Sequence, residues 1–215
     1  MSENPADWAA ETEQKVLDAA LALAPSEGWT RRMATMAGRA CQLSPDETDL
    51  LLPHGPQDLA ALLSRRHDAR ALTILAGLDP AAMKVRERIR AGVEARLDAA
   101  AADGRAVWRW TGFLALPWNL ELGARLRWES ADVLWCWAGD TATDENHYSK
   151  RLLLAGILTG ALSVRFAADR EAALDFVDKR IADVMAFEKW KATTKLRPSE
   201  FADQAAKAAA KARYR

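Results

Sequence analysis

Three observations predict an all-α fold. Apolar residues recur at helical spacing in segment after segment, caps and breakers divide those segments, and no run alternates apolar with polar residues as a half-buried strand would. The first helix is expected over 7–24, with Trp8, Val16, Ala19, Ala20 and Leu23 on its apolar face, Asp7 as cap, and Pro25 with Gly28 as the stop. Thr30 caps a second helix, 31–42, whose Met33, Met36, Ala37 and Ala40 share a face. Ser44-Pro45-Asp46-Glu47 starts a third: a cap, proline at the first position, then acids at the positive helix end. Pro53, Gly55 and Pro56 end that helix, and a fourth follows over 57–78 with Leu59, Leu62, Leu63 and Leu72 inside. Pro80 opens a fifth, 81–102, with Met83, Val85, Ile89, Val93 and Leu97 inward and Arg86, Glu87, Arg88, Arg90, Glu94 and Arg96 outward. A sixth helix spans 105–116 and breaks at Pro117. A seventh spans 120–137 and closes at Gly139, an eighth runs from its cap at Asp144 to about 168, and a ninth covers 170–190.

The chain has 215 residues, enough for one substantial core or a core with a small satellite. Lys plus Arg and Asp plus Glu number 30 each, so no overall field recruits nucleic acid or a membrane. Cys41 and Cys136 are expected to be free thiols in a reducing compartment. The N-terminus is acidic and polar, unlike a signal or transit peptide. The longest uncharged apolar stretch, Leu152 to Val164, has 13 residues, short of the roughly 18 to 20 needed to cross a membrane. A cytoplasmic location is expected.

The segment 1–55 reads as a small subdomain leaning on a larger bundle, 56–190, with a basic tail over 191–215. The tail has a net charge of +5 and reads as an Ala-rich basic helix. The helix pattern of residues 8–52 resembles the helix-turn-helix headpiece of TetR-type repressors, which set the third helix in the major groove. Here that helix holds Asp46, Glu47 and Asp49 and no base, so it would repel the phosphates a reader must neutralise. No nucleic-acid partner is expected.

Residues 107–166 dominate the sequence. They hold six of the nine tryptophans (Trp108, Trp110, Trp118, Trp128, Trp135 and Trp137) and the most apolar run of the chain. Gly156 and Gly160 in that run fit two readings: close packing of a core helix, or space for an apolar guest opposite Trp108, Phe113, Leu126 and Trp135. The candidate lipid-contacting set is Trp108, Phe113, Leu116, Leu122, Leu126, Leu134, Trp135, Leu153, Ile157 and Leu158. His54, His67 and His147 show no metal-ligand spacing, and neither a phosphate-binding glycine loop nor a nucleophile elbow occurs. No catalytic residue, metal or cofactor is expected.

Leu116-Pro117-Trp118-Asn119, Trp135-Cys136-Trp137-Ala138-Gly139-Asp140, Thr143-Asp144 and Asn146-His147-Tyr148-Ser149-Lys150-Arg151 together resemble one family, as do Gly28-Trp29-Thr30 and Pro53-His54-Gly55-Pro56-Gln57-Asp58-Leu59. It is the accessory lipid-binding protein of coenzyme Q (ubiquinone) biosynthesis, the ninth protein named in that pathway, and the likeness covers about 27–190. The resemblance implies a TetR-like helical bundle without DNA binding and a larger C-terminal bundle that holds an isoprenoid or quinone lipid, with phospholipid a further candidate. It also implies a homodimer, a surface that docks demethoxyubiquinone hydroxylase, and transient contact with the inner face of a membrane. Carried over by position, the docking patch is Asp140, Asp144, Asn146, His147, Tyr148 and Arg151. The sequence departs from the family at His147, where eukaryotic relatives have Trp, and at Ala142, where Ser is usual. The runner-up is a ligand-responsive TetR-type transcription regulator, which needs a basic third helix; a plain helical scaffold would need a core with no cavity.

Overall fold

A computed structural model describes residues 5–141 and 145–194. Its α-helices are α1 (Pro5–Glu27), α2 (Arg31–Ala40), α3 (Pro45–Leu51), α4 (Pro56–Leu75), α5 (Val85–Ala101), α6 (Gly104–Leu114), α7 (Leu120–Trp137), α8 (Glu145–Ala167) and α9 (Arg170–Thr194). Single 3-10 turns, Pro80–Ala82 and Pro117–Asn119, precede α5 and α7, and no strand occurs among the described residues. The fold is all-α.

The caps at Thr30 and Ser44 form as expected, whereas Asp7 lies within α1, which already begins at Pro5. Thr30 accepts from the Met33 amide at 3.1 Å, and Ser44 and Glu47 close a reciprocal capping box around the start of α3. Several boundaries differ. α1 runs through Pro25 to Glu27 because only one helical bond needs the missing N–H there, and the chain then turns at Gly28 with φ +69°. α1 is 23 residues long. α2 stops at Ala40, before Gln42 takes φ +65°, and α4 ends at Leu75. Pro80 opens only the 3-10 turn, so α5 begins at Val85, which lies exposed, while Leu72 on α4 also faces solvent. α9 extends to Thr194, and the tail from 195, with the Asp144 cap and Ala142, lies outside the described residues.

The chain forms two compact units, Met1–Val177 and Asp178–Arg215. In the first, α1 packs on α2, α4 and α6, α4 on α5 and α7, and α7 on α8. Val16, Leu17, Met33, Leu59, Leu63, Val93, Trp110, Leu126, Leu134 and Leu154 fill its interior. Two buried indoles act as long-range pins: Trp29 Nε1 donates to the Ala106 carbonyl and Trp110 Nε1 to the Ala60 carbonyl, each at 3.1 Å. Arg66 reaches from α4 to Gln14 and Asp18 on α1.

A polar layer crosses this core. Arg96, expected outward, is buried, and its Nε donates to Asp68 at 2.6 Å. The helical period placed it outside because periodicity cannot reveal that α4 offers a carboxylate at the same level. Arg127 stacks over Trp110 at 4.8 Å, and burial pulls its guanidinium pKa down to about 9. His67 has no exposed surface, and its Nε2 lies 2.7 Å from Asp103, which also accepts from Arg70 at 2.9 Å. Burial pushes His67 down to about 4, against the raising influence of Asp103. Burial raises Asp103, but the bonds from His67 and Arg70 outweigh it and hold that carboxyl below its usual range.

A neutral buried histidine has a definite linkage sign. Below the unfolded-state value of about 6.5, the unfolded chain takes up a proton that the folded chain refuses until near pH 4, so stability falls as pH drops through that window. Urea titrations of wild type should lose about 3 kcal/mol between those limits beyond the contribution of other groups, and His67→Gln should flatten that slope. An unchanged slope in the variant removes His67 as its source.

Candidate functional site: an apolar cleft and an aromatic ledge

α6 carries Trp108, Gly112 and Phe113 close together in sequence, with Ala115 and Leu116 following its last turn. They line one side of an open cleft of about 740 Å³. The last turns of α8 supply Ser163, Phe166 and Ala167, and the α1–α2 connection supplies Gly28 and Trp29. Trp108 meets Phe166 edge-on at 6.0 Å, and Trp29 packs against Phe113 at 6.3 Å. Trp29 is held by its bond to Ala106, whereas Trp108 is 58% exposed. A Cβ added at Gly28 or Gly112 would meet no atom within 4 Å, so both glycines leave room. The walls are mainly apolar, with Arg109, Thr111 and Ser163 as polar members. Such a surface buries a hydrocarbon chain and makes few directional demands on it.

The ten expected lipid contacts lie in several places among the described residues. Trp108, Phe113 and Leu116 line the cleft. Leu126, Leu134, Ile157 and Leu158 are buried core residues, Leu153 is 46% exposed, and Leu122 lines a separate groove between α4 and α7. Trp135 is half-buried, with Nε1 donating to the Lys150 carbonyl at 3.1 Å and the Lys150 ammonium 5.3 Å over its ring. The two glycines also divide. The Phe176 ring occupies the space beside Gly160, which is close packing, while Gly156 faces open space. Sequence reasoning missed Trp29, Gly112 and Phe166. Phe166 lies on the α8 face of Ser163, and the turn signal at Gly28 preceding an aromatic residue marked Trp29.

The second feature lies where α7 hands over to α8. Arg151 is buried, and its Nε donates to Asp132 at 2.5 Å and Nη1 to Asp140 at 3.1 Å and the His147 carbonyl at 3.2 Å. Lys150 Nζ adds a 2.6 Å bond to Asp140. Burial raises Asp140, but Lys150 and Arg151 outweigh it and hold the carboxyl below its usual range. Burial lowers Arg151, but Asp132 and Asp140 raise it further, so both partners are charged at neutral pH. Asp140 and Arg151 are therefore internal struts of the corner. What they support is a ledge: Tyr148, 65% exposed, packs 6.0 Å from Trp128 and 5.2 Å from His147, which lies 6.4 Å from Trp128. Asn146 is exposed beside them, and Asp144 lies outside the described residues.

Removing the arginine leaves Asp140 buried with one partner. Arg151→Ala should cost about 3 kcal/mol in chemical denaturation, more than Tyr148→Ala on the exposed ledge. Equal, small losses would mean the buried pair is not a strut.

Among the described residues no group of three or more His, Cys, Asp or Glu is placed to hold a metal, and no helix is long and apolar enough to cross a membrane. Residues 120–188, which include α7 and α8, match the family model described as COQ9. The ubiquinone biosynthesis protein COQ9, mitochondrial, of Bos taurus is 28% identical over 184 residues, covering 80% of this chain and 57% of that protein. The protein of the same name from Rattus norvegicus is 28% identical, and that from Homo sapiens 26%, at 80% coverage of this chain. The chain thus spans less than two thirds of these relatives, 57% to 58% of their length.

Proposed function

We propose that the chain is a COQ9-family protein and serves ubiquinone biosynthesis as a non-catalytic accessory protein. In this reading it holds an isoprenoid or quinone lipid and presents it to demethoxyubiquinone hydroxylase. The observation that carries the proposal is the cleft, open and about 740 Å³, lined by Trp29, Trp108, Phe113, Leu116 and Phe166. That volume falls within the usual range for organic ligands, and its few polar groups suit a hydrocarbon tail. The aromatic ledge of Trp128, His147 and Tyr148 is the surface for the hydroxylase, with Asn146 at its edge. Aromatic residues fixed on a rigid corner are suited to anchoring an interface. In the second unit, Met185, Phe187 and Trp190 on α9 are each at least half exposed, which supports transient contact with a membrane surface. A homodimer completes the proposal. The regulator reading gains nothing from α3, whose Asp46, Glu47 and Asp49 are solvent-exposed.

Native mass spectrometry with solvent extraction tests the lipid claim. An isoprenoid, quinone or phospholipid is expected at near-stoichiometric occupancy, and Gly112→Leu, which projects a side chain into the cleft, should lower it severalfold. Protein that is empty and takes up no added quinone would overturn the carrier role.

The docking claim has its own readout. Tyr148→Ala should weaken hydroxylase binding by at least roughly tenfold, the loss of one aromatic anchor, with circular dichroism unchanged. Unaltered affinity in a folded variant would move the docking surface elsewhere.

A further inference from the structure

Large apolar side chains left together on a surface mark a place that something covers, and the first unit gathers several in one short stretch. Residues 111–120 hold no charge and form the end of α6, the 3-10 turn Pro117–Asn119 and the first residue of α7. Trp118 on that turn is 73% exposed and Leu120 is 56% exposed. Among the described residues the Trp118 indole N–H has no acceptor. Trp108, also exposed, adds a second open indole on α6 beside the cleft.

A turn that enters an apolar layer must satisfy its own backbone, because no water remains to do so. Here the Ala115 amide donates to the Thr111 carbonyl at 3.1 Å, the Leu116 amide to the Phe113 carbonyl at 3.3 Å, and the Asn119 amide to the Leu116 carbonyl at 2.8 Å. Pro117 brings no N–H. The enclosed Asn119 side chain donates to the Phe113 carbonyl at 3.0 Å and accepts from Gln57 Nε2 at 2.8 Å, which ties the turn to α4 as well as α6. Trp118 and Leu120 thus project from a braced base.

The surrounding charges suit an anionic surface. Residues 104–125 carry Arg105, Arg109 and Arg125 against Glu121, three minus one or a net +2, in a chain with none overall. Arg105 and Arg109 lie one turn apart on α6, both exposed and, among the described residues, without a carboxylate partner. Arg125 reaches Glu129 only at 3.8 Å. Tryptophan rings settle at the boundary between lipid headgroups and acyl chains, and arginines beside them reach the phosphates.

We propose that the α6–α7 turn is a membrane-docking wedge: Trp118 and Leu120 enter the headgroup–acyl boundary of an anionic bilayer, and Arg105, Arg109 and Arg125 pair with its phosphates. The contact is separate from the one assigned to α9 and stands without the carrier reading. Joined to that reading, it brings the cleft wall at Leu116, two residues from Trp118, to the bilayer surface.

Flotation of the full chain with vesicles of equal parts phosphatidylcholine and phosphatidylglycerol measures the contact. Wild type should bind them, and bind less in high salt or on phosphatidylcholine alone. Trp118→Ala should lower the partition coefficient roughly tenfold, the order of one buried indole, and Arg105→Gln roughly fivefold on the anionic vesicles only. The Trp118 loss should persist in a Phe187→Ala/Trp190→Ala background, which removes the α9 aromatics. Val85→Ser, at an apolar site 54% exposed on α5, should change nothing. Lipids brominated in their acyl chains should quench the tryptophan emission of bound wild type, and quench Trp118→Phe less. Trp118 and Arg105 are exposed, so their variants are expected to fold, and circular dichroism checks this. Wild type that does not float, or Trp118→Ala and Leu120→Ser variants that float as wild type does, overturns the wedge. So does a Val85→Ser loss as large as that of Trp118→Ala, the mark of general stickiness. A fall in solution mass on Trp118→Ala overturns it too, by making the turn a contact between copies. Vesicle binding that depends on Trp118 in protein devoid of bound lipid sinks the carrier reading and upholds the wedge.

Discussion

Arg151 brings a full positive charge to a place where 3% of its side chain meets solvent. Taking an ion out of water costs several kcal/mol, and only close opposite charges with well-made hydrogen bonds can offset it. The sequence supplies them from two directions, Asp132 on α7 and Asp140 just beyond it, and the guanidinium's fork also reaches the His147 carbonyl. The first turns of α8 are thereby locked to the end of α7. The direction in which Tyr148 and His147 face, the course of α8 toward the cleft, and the site of the Phe166 wall all depend on that lock.

A polar layer fills the centre of the helical bundle between α4, α5, α6 and α7. Trp110, Arg127, His67 and the Arg96–Asp68 pair occupy the space between α4, α5, α6 and α7. A cross-core polar layer of this kind fixes register, because each member must find its partner or bear the cost of desolvation. The apolar cleft forms where helices end, at Leu114 and Ala167.

Helix type and most boundaries were legible because punctuation is local. Thr30, Ser44 and Pro117 act on their own neighbours, and the structure uses them as expected. Pro25 misled because its missing donor matters little within the final turn of a helix. Arg96 misled for a deeper reason: charge predicts exposure only until a distant residue supplies the counter-charge. The site was partly legible by the same logic. Trp108, Phe113 and Leu116 lie within one stretch, so their grouping was visible, whereas Trp29 and Phe166 join them only through tertiary packing. Apolar character alone could not separate the wall-forming Phe113 from the core-filling Leu126. Likewise, the spacing of Gly156 and Gly160 gave no sign that one would lie open and the other beneath Phe176.

The indole bond from Trp29 to Ala106 spans 77 positions of sequence. The helix pairs α4–α5 and α7–α8 close far shorter loops, so they meet a smaller entropic cost and are favoured to assemble early. The N-terminal helices dock onto a surface that α6 presents. Since Trp29 is a wall of the cleft, the cavity comes into existence with that late docking step. One wall of the cleft thus depends on a contact that only the completed fold supplies.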